Sequence, residues 1–166
     1  MGLDIRVNVP VQRVIGDLSE WPVELQRNIA IRCLNQLEEK DVIHTRTGSY
    51  HGLHVLRQQY ATLKGWPIDN SFHVPINDQT RLSHLVNHSD CEGYYLPDDF
   101  PEPQWIRTTG ERESALSVGS SVRLLSELTE LLESKADWPD EFEWRWDALF
   151  VAAIASVASQ RVIVFS

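Results

Sequence analysis

The sequence contains little cysteine and no long hydrophobic run. Cys33 and Cys91 are the only cysteines among 166 residues, so the spacing does not indicate a disulfide framework. No apolar run approaches the ~20 residues that cross a bilayer, and the start MGLDIRVNVP lacks a basic region followed by an apolar core. We therefore expect free thiols and a cytoplasmic protein that has no membrane segment.

Basic residues are also scarce. The chain has 15 Lys and Arg against 24 Asp and Glu, which gives a formal net charge of -9 at pH 7. This balance disfavours direct binding to nucleic acid, because phosphate backbones are themselves negative. It fits either solubility alone or an acidic face that binds a basic partner, such as the cleft of a nuclease. The carboxylates cluster at residues 38–41, 98–102 and 137–143 without forming one long tract.

The composition is that of an ordinary globular domain. Hydrophobic residues make up 42% and charged residues 23%, which excludes wholesale disorder and fibrous repeats. The alternation in LDIRVNV predicts an N-terminal strand with one buried face, and RVIVFS predicts a buried C-terminal strand. We expect an α+β fold: one compact domain over residues 1–166, with about five helices packed on a small sheet that includes both terminal strands.

Apolar periodicity predicts the helices within residues 19–40, 49–65, 78–87, 119–134 and 137–159. In the third of these helices, Leu82, Leu85 and Val86 are expected to face inward. Residues 97–120 contain three prolines and two glycines, which predicts a long loop or a hairpin within the domain.

Reactive side chains concentrate in the stretch HLVNHSDCEGYYLPDDF. His84 and His88 are four residues apart and, with Asp90, could hold a metal while Glu92 serves as a general base. Cys91 could instead be a nucleophile with His88 as its base. The acidic neighbours of this thiol do not supply the electropositive setting that a reactive cysteine needs.

The same stretch also fits a polar turn. Ser89 and Asp90 can hydrogen-bond the backbone of a turn that ends at Gly93, which would place Tyr94 and Tyr95 at a rim. This interpretation requires no catalysis.

A second candidate is the segment GSY, formed by Gly48, Ser49 and Tyr50, which stands before a predicted helix. Hydroxyls and a flexible residue ahead of a helix expose N–H groups that can hold a phosphate or carboxylate, or can simply cap the helix. Arg57 lies two turns along that helix and could balance the charge of a ligand or pair with a carboxylate.

The segments MGLDI, GSYHGLHVLR, HLVNHSDCEGYYLPDDF and VGSSVRLLSEL resemble an uncharacterised family of small bacterial and phage-associated proteins. In that family a Met-Gly-Leu-Asp start, a Gly-Ser-Tyr segment with a following Arg, and a Ser-Asp-(Cys or Ala)-Glu-Gly motif recur in this order. The family has no assigned activity. The resemblance implies a shared ligand-binding site formed by Gly48, Ser49, Tyr50, Arg57, His88, Ser89, Asp90, Glu92 and Gly93.

These observations favour a non-enzymatic cytoplasmic binding protein of a bacterial host, whose polar pocket takes a small anionic ligand such as a nucleotide. One alternative is an acidic immunity or phage anti-defence protein that binds and inhibits a basic macromolecular partner. Another is a metal-dependent hydrolase that uses His84, His88 and Asp90. The sequence identifies no cofactor and no oligomeric state.

Overall fold

A computed structural model describes residues 4–7, 43–46, 50–71, 73–89, 93–108, 114–139 and 142–165. Six strands in these ranges form one mixed sheet in the order β2-β1-β6-β3-β5-β4. Their bounds are β1 Asp4–Val7, β2 Ile43–Arg46, β3 Gly93–Leu96, β4 Gln104–Thr108, β5 Ser114–Ser120 and β6 Ile163–Phe165. Within this sheet β3 and β5 run parallel, and the other neighbouring pairs are antiparallel.

The sheet includes the first and last strands, as the sequence predicted, and these two strands pair with each other. Ile5 lies opposite Phe165 and Val7 lies opposite Ile163 in the antiparallel β1–β6 register. All four side chains are buried, whereas Arg6 between them is exposed. The alternation in the sequence therefore reports directly which face of β1 meets the core.

Three α-helices and one 3-10 helix are present in the described ranges: α1 Tyr50–Leu63, α2 Ser121–Leu131, the 3-10 helix Leu132–Asp137 and α3 Glu143–Ser159. Gly65, with φ of +66°, follows α1 in the left-handed conformation that glycine favours. The Ser120 side chain caps α2 by accepting a hydrogen bond from the Arg123 backbone N–H at 3.2 Å. None of these helices combines the length and the apolar character that a transmembrane span requires.

The α+β class is confirmed, but the expectation of about five helices is not. The helix predicted at 19–40 lies outside the described residues. The helix predicted at 78–87 is wrong, because that segment forms a series of turns. Its Leu82 side chain is 46% exposed instead of facing inward, whereas Leu85 and Val86 are buried.

Side chains replace some of the helical hydrogen bonds in this segment. The Asn77 carboxamide oxygen accepts the backbone N–H of Thr80, and the Glu127 carboxylate accepts those of His84 and Leu85. Such local and long-range acceptors compete with helix formation, since they satisfy the N–H groups in another geometry. The apolar spacing was present, but it does not report these acceptors.

The core lies where the helices meet the sheet. α3 packs on β1, β2 and β6 and on α2, and α1 packs on both α2 and α3. The largest fully buried side chains come from every layer: Ile5, Leu56, Leu85, Tyr95, Leu96, Leu124, Leu128, Leu131, Phe142 and Leu149. Each buried Leu or Ile of this kind contributes about 1.5–3 kcal/mol relative to exposure.

Residues 97–120 contribute β4 and β5, which pair antiparallel from Gln104 opposite Val118 to Thr108 opposite Ser114. β5 leads directly into α2 at Ser120, whose hydroxyl also donates to the Asp98 carbonyl oxygen at 2.6 Å. This bond ties the start of α2 to the loop after β3.

Candidate functional site

Only part of the predicted ligand site lies within the described residues. Gly48, Ser49, Asp90 and Glu92 fall outside them, as does Cys91. Tyr50 is the first residue of α1.

Of the remaining predicted residues, Arg57 lies on α1 and Gly93 begins β3. Ser89 follows residues 78–87, which we call the turn segment. Burial and, to a smaller extent, the Arg57 charge lower the pKa of His88, the fourth of these residues. The complete set of predicted site residues stays a prediction.

His88 is buried inside the fold. Its ring stacks on Tyr95, with centroids 4.2 Å apart and planes at 10°, and it also contacts Phe165. Burial, with a smaller contribution from Arg57, lowers the pKa of His88 to about 3, so the ring is neutral at pH 7. Nδ1 and Nε2 lie 2.9 Å and 3.3 Å from the carbonyl oxygens of Ser89 and Tyr94. A neutral ring donates to only one of these two carbonyl oxygens. Because the ring is buried and stacked on Tyr95, we interpret His88 as a structural residue.

Gly93 and Ser89 fix the backbone beside this ring. Gly93 has φ of +126°, and a Cβ atom there would lie 2.5 Å from the Ser117 carbonyl oxygen and 2.9 Å from His88 Cε1. The Ser117 hydroxyl oxygen accepts the Ser89 N–H at 2.9 Å. The predicted turn glycine is therefore required by close packing as well as by its backbone angle.

His84 is equally committed to the fold. Its Nδ1 accepts the Ser120 N–H at 2.8 Å, which places the proton of the neutral ring on Nε2. Burial lowers the pKa of His84 to about 4, partly offset by the backbone carbonyls of Phe100 and Pro101. Nε2 is buried and makes no hydrogen bond of normal geometry, so these carbonyls act on it as nearby dipoles.

The prediction that Tyr95 lies at a rim is wrong. The Tyr95 side chain is only 1% exposed, and its hydroxyl donates to the His84 carbonyl oxygen at 3.0 Å. Tyr94 is partly buried.

The metal hypothesis loses its geometric basis in this segment, since His84 and His88 share no helical face. In the described part of the chain, no group of three or more His, Cys, Asp or Glu side chains is arranged to hold a metal ion. The third candidate, Asp90, lies outside that part.

Glu127 is the buried polar residue that sequence reasoning missed. Its carboxylate accepts the backbone N–H groups of His84 and Leu85, at 2.9 Å and 2.6 Å, and the Ser83 hydroxyl at 3.2 Å. Burial raises its pKa to about 7, although these three hydrogen bonds act in the opposite direction. The available signal was a glutamate at an inward position of α2, one residue before the buried Leu128. Glu127 therefore anchors the turn segment to α2.

A small cavity lies between α1 and the turn segment. It measures about 60 Å³ and is lined by His54, Arg57, Gln58, His73, Val74 and Val86. Sites for drug-sized ligands occupy roughly 300–1,000 Å³, so this cavity has room for waters but not for a nucleotide.

Two groups of acidic residues on the described surface differ in how their charge is balanced. In the first group, Asp99 forms an ion pair with Arg123 and Glu102 forms one with Arg81, each at 2.5 Å. These two carboxylates present little net charge, because each has an arginine beside it.

The second group is the acidic surface, which we define as Glu133, Glu143 and Asp147. Glu133 lies on the 3-10 helix, and the other two lie on the first two turns of α3; all three are exposed. Lys135 forms an ion pair with Glu143, which raises the pKa of Lys135, and Asp147 adds to this effect. Glu133 and Asp147 form no ion pair with another described residue. In sequence, residues 133–147 carry six carboxylates against two cations.

Comparison with known proteins gives a family but no individual relative. No curated protein and no solved structure matches the chain. One family model matches residues 1–165, and its description is "Putative DNA-mimic protein".

This match corrects the functional expectation. A protein that imitates DNA presents its own surface to a macromolecule, which contradicts the preferred function of a pocket for a small anionic ligand and the matching expectation for the partner. It also conflicts in part with the expectation that direct binding to nucleic acid is disfavoured, because the family description names DNA as the molecule that is imitated. The alternative, an acidic protein that binds a macromolecular partner, agrees better with the family match. The match covers nearly the whole chain, and the protein therefore belongs to the DNA-mimic protein family.

Proposed function

We propose that this protein binds a DNA-binding protein in place of DNA and that the acidic surface occupies the positions of DNA phosphates. The partner is then a protein with a basic nucleic-acid surface, and occupation of that surface inhibits its binding to DNA. The observation that carries the proposal is the excess of six carboxylates over two cations in residues 133–147, in a chain that belongs to the DNA-mimic family.

Charge distribution supports this choice of surface. Residues 133–147 carry a formal charge of -4, the difference between six carboxylates and two cations, out of -9 for the whole chain. A concentrated patch of one sign steers a partner of opposite sign and orients it on approach. The Asp99 and Glu102 carboxylates are less suited to this role, because Arg123 and Arg81 oppose them one to one, whereas residues 133–147 have six carboxylates against two cations.

The spacing of the carboxylates is also compatible with DNA. Glu143 and Asp147 are separated by four residues of helix, about 6 Å along the axis at 1.5 Å per residue. Consecutive phosphates of one DNA strand advance by about 3.4 Å along the duplex axis, and their rotation about that axis makes the direct separation larger. A row of cations that contacts neighbouring phosphates can therefore meet these two side chains.

The phage association of the resembled family suggests a biological setting. A partner that acts on DNA, such as a defence nuclease, would be inhibited when its DNA surface is occupied. This would make the protein an anti-defence or immunity factor that acts by competition.

The test begins with duplex DNA on cellulose, loaded with bacterial lysate and eluted with the purified protein. We expect the wild type to elute specific DNA-binding proteins. A triple variant, E133Q/E143Q/D147N, should elute far less of them. If each exposed carboxylate contributes about 0.2–1 kcal/mol, its affinity falls about 3- to 150-fold.

A second triple variant, D69N/D78N/E102Q, serves as the matched control. It removes the same number of charges from exposed or partly exposed positions away from the acidic surface. It should elute the partner nearly as well as the wild type. Equal loss in both triple variants would mean that only net charge matters and would refute the assigned surface. No elution by the wild type would refute the function.

A further inference from the structure

The outward side of α3 carries large apolar side chains that the fold leaves exposed. Trp144 is 42% exposed, Val151 is 46% exposed and Ile154 is 44% exposed. The opposite side of the same helix is packed, since Trp146, Leu149 and Ala153 are buried in the core. We call Trp144, Val151 and Ile154 the apolar stripe.

The apolar stripe continues the acidic surface along the same helix. At 100° per residue, Glu143, Asp147, Val151 and Ile154 fall within an arc of about 80°, and Trp144 lies about 20° beyond it. From Glu143 to Ile154 the line is about 16 Å long. The first two turns of the helix present the two carboxylates with Trp144 beside them, and the next turns present Val151 and Ile154.

Contiguous exposed apolar surface beside charged groups is typical of an interaction site. We infer that the apolar stripe forms the apolar part of the interface with the DNA-binding partner, whose DNA surface must combine cations with apolar side chains. This inference rests on the proposed function and adds the chemistry of the partner.

DNA-binding surfaces with this combination are those that contact bases as well as phosphates. Apolar side chains meet thymine methyl groups in the major groove, and aromatic side chains stack on unpaired bases. Val151 and Ile154 offer methyl groups and Trp144 offers an aromatic ring, adjacent to carboxylates that replace phosphates. A partner that contacts phosphates alone would offer no apolar side chains to bind the apolar stripe.

Charge argues against a second copy of the chain as the occupant. Two α3 helices packed parallel through this face would bring Glu143 and Asp147 of the two copies together. Like charges placed together across an interface disfavour association. Packed antiparallel, the helices would place these carboxylates against the apolar residues of the other copy, where the charges lose water without gaining a partner. A basic partner instead gains from the same carboxylates.

The test measures displacement of a labelled DNA duplex from the DNA-binding protein recovered on DNA-cellulose, at about 50 and 200 mM salt. V151S/I154S should bind the partner about tenfold more weakly or worse at both salt concentrations, with an unchanged salt dependence. E133Q/E143Q/D147N should lose affinity mainly at the lower salt. The matched control I76S/L82S changes two exposed apolar residues outside α3 and should leave binding intact.

Each other outcome identifies a different error. If the wild type displaces no duplex, the proposed function fails, and this inference fails with it. If the wild type displaces the duplex and V151S/I154S does so equally well, the function stands and the inference is overturned. It is also overturned if sedimentation shows a dimer that only V151S/I154S dissociates. A melting temperature lowered by V151S/I154S but not by I76S/L82S would mean that the chain itself covers the stripe.

Discussion

Replacing Glu127 with glutamine should change how the stability of the fold depends on pH. Glu127 is almost fully buried, and burial raises its pKa from 4.5 to about 7. Glutamine has nearly the same shape and keeps one oxygen to accept a backbone N–H, but it cannot ionise. The variant therefore isolates the titration of this one carboxyl group from the rest of its packing.

The magnitude follows from the two pKa values. Between pH 4.5 and about pH 7 the folded chain holds a proton on Glu127 that the unfolded chain has released. The stability from this group is complete below pH 4.5 and is lost as the pH rises through about 7. The difference between a pKa of 4.5 and a pKa of about 7 corresponds to about 3 kcal/mol.

The two buried histidines titrate in the opposite sense. The pKa values of His84 and His88 fall to about 4 and about 3, so the unfolded chain binds the extra protons and stability falls as the pH drops below 6.5. In the wild type the two histidines together outweigh Glu127 between pH 4.5 and 6.5, because unfolding binds about two protons on the histidines and releases about one from Glu127. Subtracting the curve of the glutamine variant removes the histidine contributions, since both proteins share them.

Urea unfolding followed by tryptophan fluorescence measures this difference at several pH values between about 4.5 and 7.5. The free energy of unfolding of the wild type, minus that of E127Q, should fall by about 3 kcal/mol across this range. A difference that stays constant with pH would refute the raised pKa of Glu127. An unfolding slope that changes between the two proteins would invalidate the comparison, so equal slopes are required.

Three further substitutions test the packing around His88. G93A should destabilise the fold by about 2–6 kcal/mol in urea unfolding, because the new Cβ meets the Ser117 backbone at a φ that side chains rarely adopt; a loss below 1 kcal/mol would contradict this geometry. G119A should cost about 1–3 kcal/mol, since its Cβ would lie 2.4 Å from the Tyr95 ring, and an unchanged melting temperature would argue against that contact. H88F keeps the stacked ring and removes the buried titration. It should be about 1 kcal/mol less stable than the wild type at pH 7 and about 2 kcal/mol more stable at pH 4.5, and no reversal would mean that His88 is not held neutral.

Much of the fold was predictable because local patterns report which face is buried. The alternation around Ile5 and Val7 predicted β1, and apolar residues at helical spacing predicted α1, α2 and α3. The helix prediction for 78–87 failed at its centre, because the N–H groups of His84 and Leu85 are satisfied by Glu127, more than forty residues away. No local pattern reports such an acceptor.

The functional site was harder to predict, since charge in a sequence does not reveal which ions pair in space. The polar motif HSDCEG favoured the prediction of a pocket, yet its histidine, His88, is buried against Tyr95. In the cluster at 98–102, Arg123 reaches Asp99 and Arg81 reaches Glu102 from more than twenty residues away, and no local pattern reports such pairs.

The most direct test of the central claim asks whether this protein and DNA exclude each other on one partner. The anisotropy of a labelled duplex bound to the recovered partner is measured while the purified protein is added. We expect the duplex to be released completely, with an apparent affinity for DNA that falls in proportion to the concentration of the protein. A ternary complex of duplex, partner and protein, with anisotropy retained at saturation, would contradict the account.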